Sequence, residues 1–318
     1  MAKSLPKSIT EITGSHAHKQ TRGWCIPYLV TLDTVPSLGT GRWDYWLRIC
    51  DSLELPDDPI PHVHFQAPHE LQGQTPAHVQ YPSQLPESAE DHIRRILEPY
   101  LHKCGKWYDD AWLEFVRWLL HGFGAAGLET DVERTPEEVR DFWYTQFNLA
   151  YLLSTPIDWS AYILQSGPRW MGNGTAKWAK STAFFSTPMN VINLMTAMLI
   201  TDVDTRVQTV CDPCCGTGSM LLPASNHSLR LYGMDIVYDL VLCTMLNGYL
   251  WAPWMVKMPA EVDAMLESLA QAQAPTARIA HLPTAPLRLE TRPAQVAATQ
   301  AYREGSMAQA DFFAAMNV

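Results

Sequence analysis

One short stretch, VCDPCCGTGSMLLP at residues 210–223, brings together three cysteines, an aspartate and two glycines. Residues of these types could build three kinds of site. Cysteine thiolates bind zinc. A glycine turn before a helix can cradle phosphates. An acid at the end of a parallel strand can accept hydrogen bonds from a ribose. The residues around this stretch must decide among them.

A metal site is the weakest of the three. Cys211, Cys214 and Cys215 could supply thiolates, but Cys211 lies on a predicted strand and no second Cys or His pair at zinc spacing follows. A histidine-rich loop carries His62, His64 and His69, without a cysteine or carboxylate to complete a ligand spacing. We therefore predict no metal.

The stretch also lacks the signatures of a nucleotide phosphate site. It has no Gly-Lys-Ser/Thr ending, and CGTGSM is not the G-x-G-x-x-G fingerprint. Instead, a predicted strand RVQTVCDP ends at Asp212 and turns through Gly216 and Gly218, where the backbone can approach a ligand closely. A second predicted strand, HSLRLYGMDI, ends at Asp235, placed to accept ribose hydroxyls. A cationic ligand with an adenosine end, S-adenosylmethionine, suits this arrangement.

Elements on either side of the stretch predict an α/β domain that follows a helical one. Apolar residues recur at helical spacing in DDAWLEFVRWLLHGFG and in TPEEVRDFWYTQFNLAYLL, where Thr135, Pro136 and Glu138 predict a capping box. TPMNVINLMTAMLI predicts a helix capped by Thr187, and VYDLVLCTMLNGYLW another. We predict a flexible arm over 1–40, a helical domain over 41–165 with a Pro/His-rich loop at 56–87, and an α/β cofactor domain over 166–318.

Three elements resemble those of adenine-N6 DNA methyltransferases, in particular the modification subunits of type I restriction systems. AFFSTPMNVINLM is similar to the F-x-TP element, DPCCGTGSML to the D-P-x-C-G-T-G motif, and YGMDIVYDLVLCTMLNGYLW to the ribose-acid segment. The resemblance implies a partial class I S-adenosylmethionine-dependent methyltransferase (Rossmann-like) sheet, preceded by an α-helical domain. Ser219 stands where the family commonly has a third glycine.

The resemblance also assigns the cofactor-binding residues, in three groups along the chain. One group closes over the methionine end of the cofactor, a second wraps that end, and a third meets the adenosine. They are, in order, Phe184, Phe185, Thr187 and Pro188; Asp212, Pro213, Cys214, Gly216 and Gly218; and Asp235 with Ile236. Near residue 311 the chain resembles the family's third motif, which would place Asp311 and Phe312 at the adenine. A charged residue near a frayed terminus explains these two equally well.

No match to the family's catalytic motif, [N/D]-P-P-[Y/F], follows these elements. The catalytic residues are therefore unknown, and we expect methyl transfer only if a partner chain supplies the missing motif. The sheet itself could be completed by a partner chain or by another copy of this chain, its open edge could be covered by residues 276–292, or the protein could be a truncated remnant. The alternative is a non-catalytic cofactor-binding or scaffold subunit of a defence or mobile-element system. The basic, aromatic segment SGPRWMGNGTAKWAKST is either a solvated connector or a contact to ligand or nucleic acid.

Composition limits the possible partners. The net charge of -10 argues against strong DNA binding by this chain alone, because neutralised phosphates supply most of the affinity of such proteins. No run of eighteen apolar residues occurs, so no membrane span is predicted. The N-terminal sequence lacks the apolar segment of a signal peptide, which predicts a cytoplasmic location.

Overall fold

The structure, a computed structural model, describes residues 22–35, 39–50, 76–82, 87–105, 107–166, 182, 184–200 and 209–256. Its helices are α1 (Ile26–Asp33), α2 (Arg42–Cys50), α3 (Glu87–Cys104), α4 (Tyr108–Gly122), α5 (Glu129–Arg134), α6 (Glu137–Gln146), α7 (Ala150–Leu153), α8 (Trp159–Ala161, continued by a π-helix at Tyr162–Ser166), α9 (Met189–Leu199), α10 (Leu221–Ala224), α11 (Tyr238–Trp251) and α12 (Pro253–Val256). Its strands are β1 (Thr209–Asp212) and β2 (Arg230–Gly233).

The two strands form a parallel pair, with Thr209 opposite Arg230 and Asp212 opposite Gly233. The predicted order of helix, strand, glycine turn, strand and helix is present from α9 to α11. Over the described residues the fold is thus a mainly helical protein with a small parallel sheet, compatible with part of an α/β methyltransferase-like fold.

Helix α4 is the centre of the helical part, as its spacing of apolar residues predicts. Trp112, Phe115, Val116, Leu119 and Leu120 are all fully buried. Burying each such side chain stabilises the fold by roughly 1.5–3 kcal/mol. The helix ends at Gly122, and in the residues that follow it Gly124 has a φ of 92°.

The aromatic residues of α6 also pack in the core and do not form an exposed stacking surface. Trp143 and Phe147 are fully buried, and the Trp143 indole N–H donates to the carbonyl of Ile96 at 2.7 Å. Packing in the core therefore accounts for the spacing of these aromatic residues.

Helix α11 joins the helical part to the sheet. Nearly all of its side chains are buried, including Leu242, Leu246 and Trp251, as expected for a helix that is covered on every side. It packs against α4 and α12, and its residues share one hydrophobic core with those of the helical part. The core therefore runs across the boundary predicted at residue 165.

Residues 22–35 correct the prediction of a flexible arm over 1–40. Trp24, Tyr28 and Leu29 are buried in the main core. The backbone N–H of Cys25 donates to the carbonyl of Gly122 at 2.7 Å, which fixes the segment to the end of α4. The apolar run WCIPYLV signalled this burial, and only residues 1–21 and 36–38 of the predicted arm lie outside the described residues.

The helix starts of both Thr-Pro sequences differ from the prediction. Pro136 and Pro188 occupy the cap positions of α6 and α9, and no side chain caps either helix, so neither Thr135 nor Thr187 is a cap and Glu138 closes no capping box. Each proline is extended, with ψ near 137°. The proline carbonyls accept the first helical hydrogen bonds in place of the threonines'.

A buried histidine makes the stability of the helical part depend on pH. His92 stacks on Tyr151 with ring centroids 4.2 Å apart, and its Nε2 accepts the backbone N–H of Asn148 at 3.1 Å. Burial, with a smaller contribution from the Arg95 charge, lowers the pKa of His92 to about 4. The folded state therefore holds this imidazole neutral.

We expect the free energy of unfolding to fall as the pH drops from about 6.5 towards 4, the range between the pKa of a histidine in the unfolded chain and that of His92 in the folded chain. Below the ordinary histidine pKa of about 6.5 the unfolded chain binds a proton that the folded chain rejects, so unfolding is favoured. Lowering the pH from 7.5 to 5 should cost about 2 kcal/mol through His92. Urea unfolding at both pH values would measure it, and His92→Gln should lose this part of the pH dependence. An equal pH dependence in both proteins would contradict the assignment.

Within the described ranges, no helix is both long enough and apolar enough to cross a membrane.

Candidate functional site

The carboxyl ends of β1 and β2 lie at the same edge of the sheet because the strands are parallel and in register. Asp212 is the last residue of β1, and Asp235 follows the end of β2 by two residues. The turn of residues 213–220, here called the glycine turn, runs between β1 and α10. The backbone N–H of Met234 donates to the carbonyl of Asp212 at 2.9 Å, which holds the two strand ends together.

Two glycines give the turn its shape. Gly216 and Gly218 have φ values of 58° and 86°, a region that residues with a Cβ rarely adopt. A Cβ at Gly216 would lie 3.0 Å from the Phe184 ring, and one at Gly218 would lie 2.9 Å from the methyl group of Thr244. Both positions therefore need glycine for the backbone conformation and for the space.

Substituting Gly218 tests both requirements. Gly218→Ala should destabilise the protein by about 2 kcal/mol or more, because left-handed backbone costs about 1–2 kcal/mol for alanine and the contact with Thr244 adds to it. The matched control is Gly127→Ala, where φ is 79° and a Cβ would meet nothing within 4 Å. Thermal unfolding of both variants would separate strain from contact. Equal losses would mean that the space beside Thr244 does not matter.

Asp235 is tied to the glycine turn through its carboxylate. One oxygen accepts the backbone N–H of Gly216 at 2.9 Å, and the other accepts that of Val237 at 2.9 Å. Burial raises the pKa of Asp235, the amide hydrogen bonds act against that rise, and the negative charge of Asp212 adds to it. Asp212 in turn accepts the backbone N–H of Cys214 at 3.1 Å. The two acids give this edge of the sheet a negative potential.

A cavity of about 370 Å³ opens beside these acids and the glycine turn. It brings together most of the predicted binding residues: Phe184, Phe185, Thr187, Asp212, Pro213, Cys214, Gly216, Asp235 and Ile236. Of the other predicted residues, Pro188 and Gly218 do not line it, and Asp311 and Phe312 lie outside the described residues. His62, His64, His69 and most of the basic aromatic segment are also outside the described residues.

The two phenylalanines before α9 differ in their surroundings. Phe184 is buried against Gly216, whereas Phe185 is 83% exposed. Among the described residues, Phe185 is therefore free to contact a bound molecule with most of its ring, while Phe184 forms part of the cavity wall.

The three cysteines beside the cavity differ in burial. Cys215 is buried, and burial raises the pKa of its thiol to about 12, which keeps the thiol protonated. Cys211 and Cys214 are exposed. No cluster of three His, Cys, Asp or Glu side chains in the described part of the chain is arranged to hold a metal ion.

Several residues that support the site were missed by the sequence reasoning. Thr244 and Asn247 of α11 bind carbonyls of the turn: the Thr244 hydroxyl donates to Gly216 at 3.0 Å, and the Asn247 amide donates to Thr217 at 2.7 Å. Asp158, from the helical part, also reaches the turn. The polar side chains of Thr244 and Asn247 within the apolar helix α11 could have indicated these contacts, because buried polar groups need hydrogen-bond partners.

Comparison with family models gives a match over the same part of the chain. Residues 170–249, about a quarter of the protein, match the family described as N-6 DNA Methylase. This confirms the resemblance to adenine-N6 DNA methyltransferases read from the motifs, for that segment. Comparison with curated proteins and comparison with solved structures gave no match.

Proposed function

We propose that this chain binds S-adenosylmethionine in the cavity at the strand ends and belongs to an adenine-N6 DNA methylation system. The observation that carries the proposal is the meeting of the glycine turn and Asp235 around one cavity of about 370 Å³. The N-6 DNA methylase match over the same residues supports it, since that family generally uses this cofactor.

The cavity offers groups suited to each part of the cofactor. The oxygens of Asp235 could accept the ribose hydroxyls, and the glycine turn leaves backbone close to the methionine end. The acids Asp212 and Asp235 favour a ligand with a positive charge. Phe185 and Thr187 line the cavity and would help exclude water from a bound ligand. When bound, the cofactor supplies an electrophilic methyl group on a sulfonium.

We also propose that a partner chain supplies the strand that carries the catalytic motif. Among the described residues, β1 pairs with β2 alone, and Thr209 and Cys211 of β1 are exposed. Helix α9 exposes the large apolar side chains Val191, Leu194, Met198 and Leu199. Exposed apolar side chains and an unpaired strand edge are typical of a surface that another polypeptide covers.

Two measurements test the proposed function. Calorimetric titration of the full chain should give saturable binding of S-adenosylmethionine, with ATP and NAD as nucleotide controls that bind more weakly. Transfer of a tritiated methyl group to adenine-containing DNA should be absent with the pure chain and appear with its partner. Binding of neither S-adenosylmethionine nor its demethylated product would contradict the proposal.

A non-catalytic role is the second candidate, favoured by the net charge of -10, which opposes DNA binding by this chain alone. In that case the chain would bind the cofactor as a regulatory or scaffold subunit. Cofactor binding without methyl transfer in the assembled complex would favour this role. Methyl transfer that depends on this chain would exclude it.

A further inference from the structure

A carboxylate from the helical part of the chain lies directly behind the glycine turn. Asp158 is 2% exposed and precedes α8. One of its oxygens accepts the backbone N–H of Ala161 at 2.8 Å. Its other oxygen accepts the hydroxyl of Thr217 at 2.5 Å and also the hydroxyl of Ser219.

The two hydroxyls stand on either side of Gly218, the residue with the most positive φ in the turn. A single carboxylate oxygen therefore binds the turn on both sides of Gly218. Thr217 and Ser219 both line the cavity. Because their hydroxyls point to Asp158, the conformation of the cavity wall depends on a residue about sixty positions earlier in the chain.

The contact between Asp158 and the glycine turn is buried, so the loss of any of its hydrogen bonds costs free energy. A buried carboxylate is costly unless donors satisfy its oxygens. Burial raises the pKa of Asp158, and the hydrogen bonds from Ala161, Ser219, Thr217 and Asn247 act against that rise. Removing a hydroxyl leaves the carboxylate short of a donor, and removing the carboxylate leaves the two buried hydroxyls with only each other, 3.3 Å apart, as a side-chain partner.

We propose that Asp158 is a positioning residue, which fixes the glycine turn through Thr217 and Ser219 and so sets the shape of the cofactor cavity. The proposal deepens the proposed function and rests on it, since the turn is taken to bind the cofactor. It also gives Ser219 a role that glycine, common at this position in the resembled family, could not fill.

The test compares Asp158→Asn with Asp33→Asn in the full chain. Asp33 is an apt control because it is equally buried, at 2% exposed, and accepts the hydroxyl of Thr40 and the backbone N–H of Trp43, away from the cavity lining. Hydrogen exchange of the amides of residues 214–219, without ligand, should become at least tenfold faster in Asp158→Asn. It should change less than twofold in Asp33→Asn. Equal exchange of the turn in a folded Asp158→Asn protein and the wild type would overturn the proposal.

Calorimetry with S-adenosylmethionine gives the second readout. Asp158→Asn should weaken binding at least tenfold, and Asp33→Asn less than twofold. If the wild type itself does not bind, the proposed function fails, while the exchange measurement still decides the role of Asp158.

A second pair of variants applies if Asp158→Asn does not fold. Thr217→Ser keeps the hydroxyl and should keep the slow exchange of the turn. Thr217→Val keeps the shape but removes the hydroxyl, and should speed exchange of residues 214–219 at least fivefold. Equal exchange in these two proteins would also overturn the proposal.

Discussion

Arg42→Met should lower the free energy of unfolding by about 3–5 kcal/mol, because several buried acceptors lose a charged hydrogen-bond donor at once. Arg42 is fully buried, and its guanidinium donates to the carbonyls of Ala77 and Trp251 at 2.8 and 2.7 Å. It also donates to the Ser225 hydroxyl at 2.6 Å and to the side chain of Asn226. Methionine fills much of the volume but takes a donor away from each of these acceptors, and Asn226 keeps the backbone N–H of Val79 at 2.8 Å.

The effect should be large because Arg42 connects segments that are distant in sequence. Its partners come from the segment of residues 76–82, the turn after α10 and the end of α11, and its guanidinium lies 5.2 Å from the ring centre of Trp254. Arg42→Lys should also be destabilising, since an ammonium group cannot reach the acceptors that a planar guanidinium serves.

Arg134→Met is the control for the loss of a positive charge. Arg134 is 74% exposed and pairs only with Asp131 three residues away among the described contacts. We expect its loss to change stability by less than about 0.5 kcal/mol. Urea unfolding followed by tryptophan fluorescence measures both variants. A loss below about 1 kcal/mol for Arg42→Met would show that its acceptors find other partners.

Asp235→Ala should weaken binding of S-adenosylmethionine by roughly 1.5–3 kcal/mol, the usual contribution of hydrogen bonds to a charged acceptor. The loss has two sources. The ribose hydroxyls lose their proposed acceptor, and the N–H groups of Gly216 and Val237 lose theirs, which loosens the glycine turn. The measurement is calorimetric titration at a pH well above the raised pKa of Asp235.

Asp91→Ala serves as the control, because Asp91 is exposed on α3 and pairs with Arg94 at 3.3 Å. The Asp91→Ala protein should bind the cofactor with the affinity of the wild type. Thermal unfolding without ligand would show how much of the Asp235→Ala effect is loss of structure. Unchanged affinity in a folded Asp235→Ala protein would mean that the ribose does not bind at Asp235.

The local elements of the site were predictable from sequence because short-range chemistry determines them. A strand that ends in Asp212, glycines at 216 and 218, and a second strand that leads to Asp235 follow from residue type and spacing alone. In the structure, the parallel register brings these residues to one edge, as the prediction of an α/β arrangement required. The family match over 170–249 agrees with this reading.

The residues that support the site were not predictable in the same way, because their roles depend on tertiary contacts. Nothing near Asp158 in the sequence indicates that it meets Thr217, and nothing near Arg42 indicates that it meets Ser225. The burial of Trp24 and Tyr28 was missed for a related reason. A short apolar run next to polar residues was assigned to an arm, whereas contacts with the end of α4 bury it.

Photochemical cross-linking tests the location of the cofactor most directly. The full chain would be irradiated with S-adenosylmethionine that carries a tritiated methyl group, and the labelled peptides identified. We expect label in the peptide that contains Asp212 and the glycine turn, and its loss when excess S-adenosylhomocysteine is present. Absence of label, or label confined to peptides that do not line the cavity, would contradict the claim that this cavity binds the cofactor.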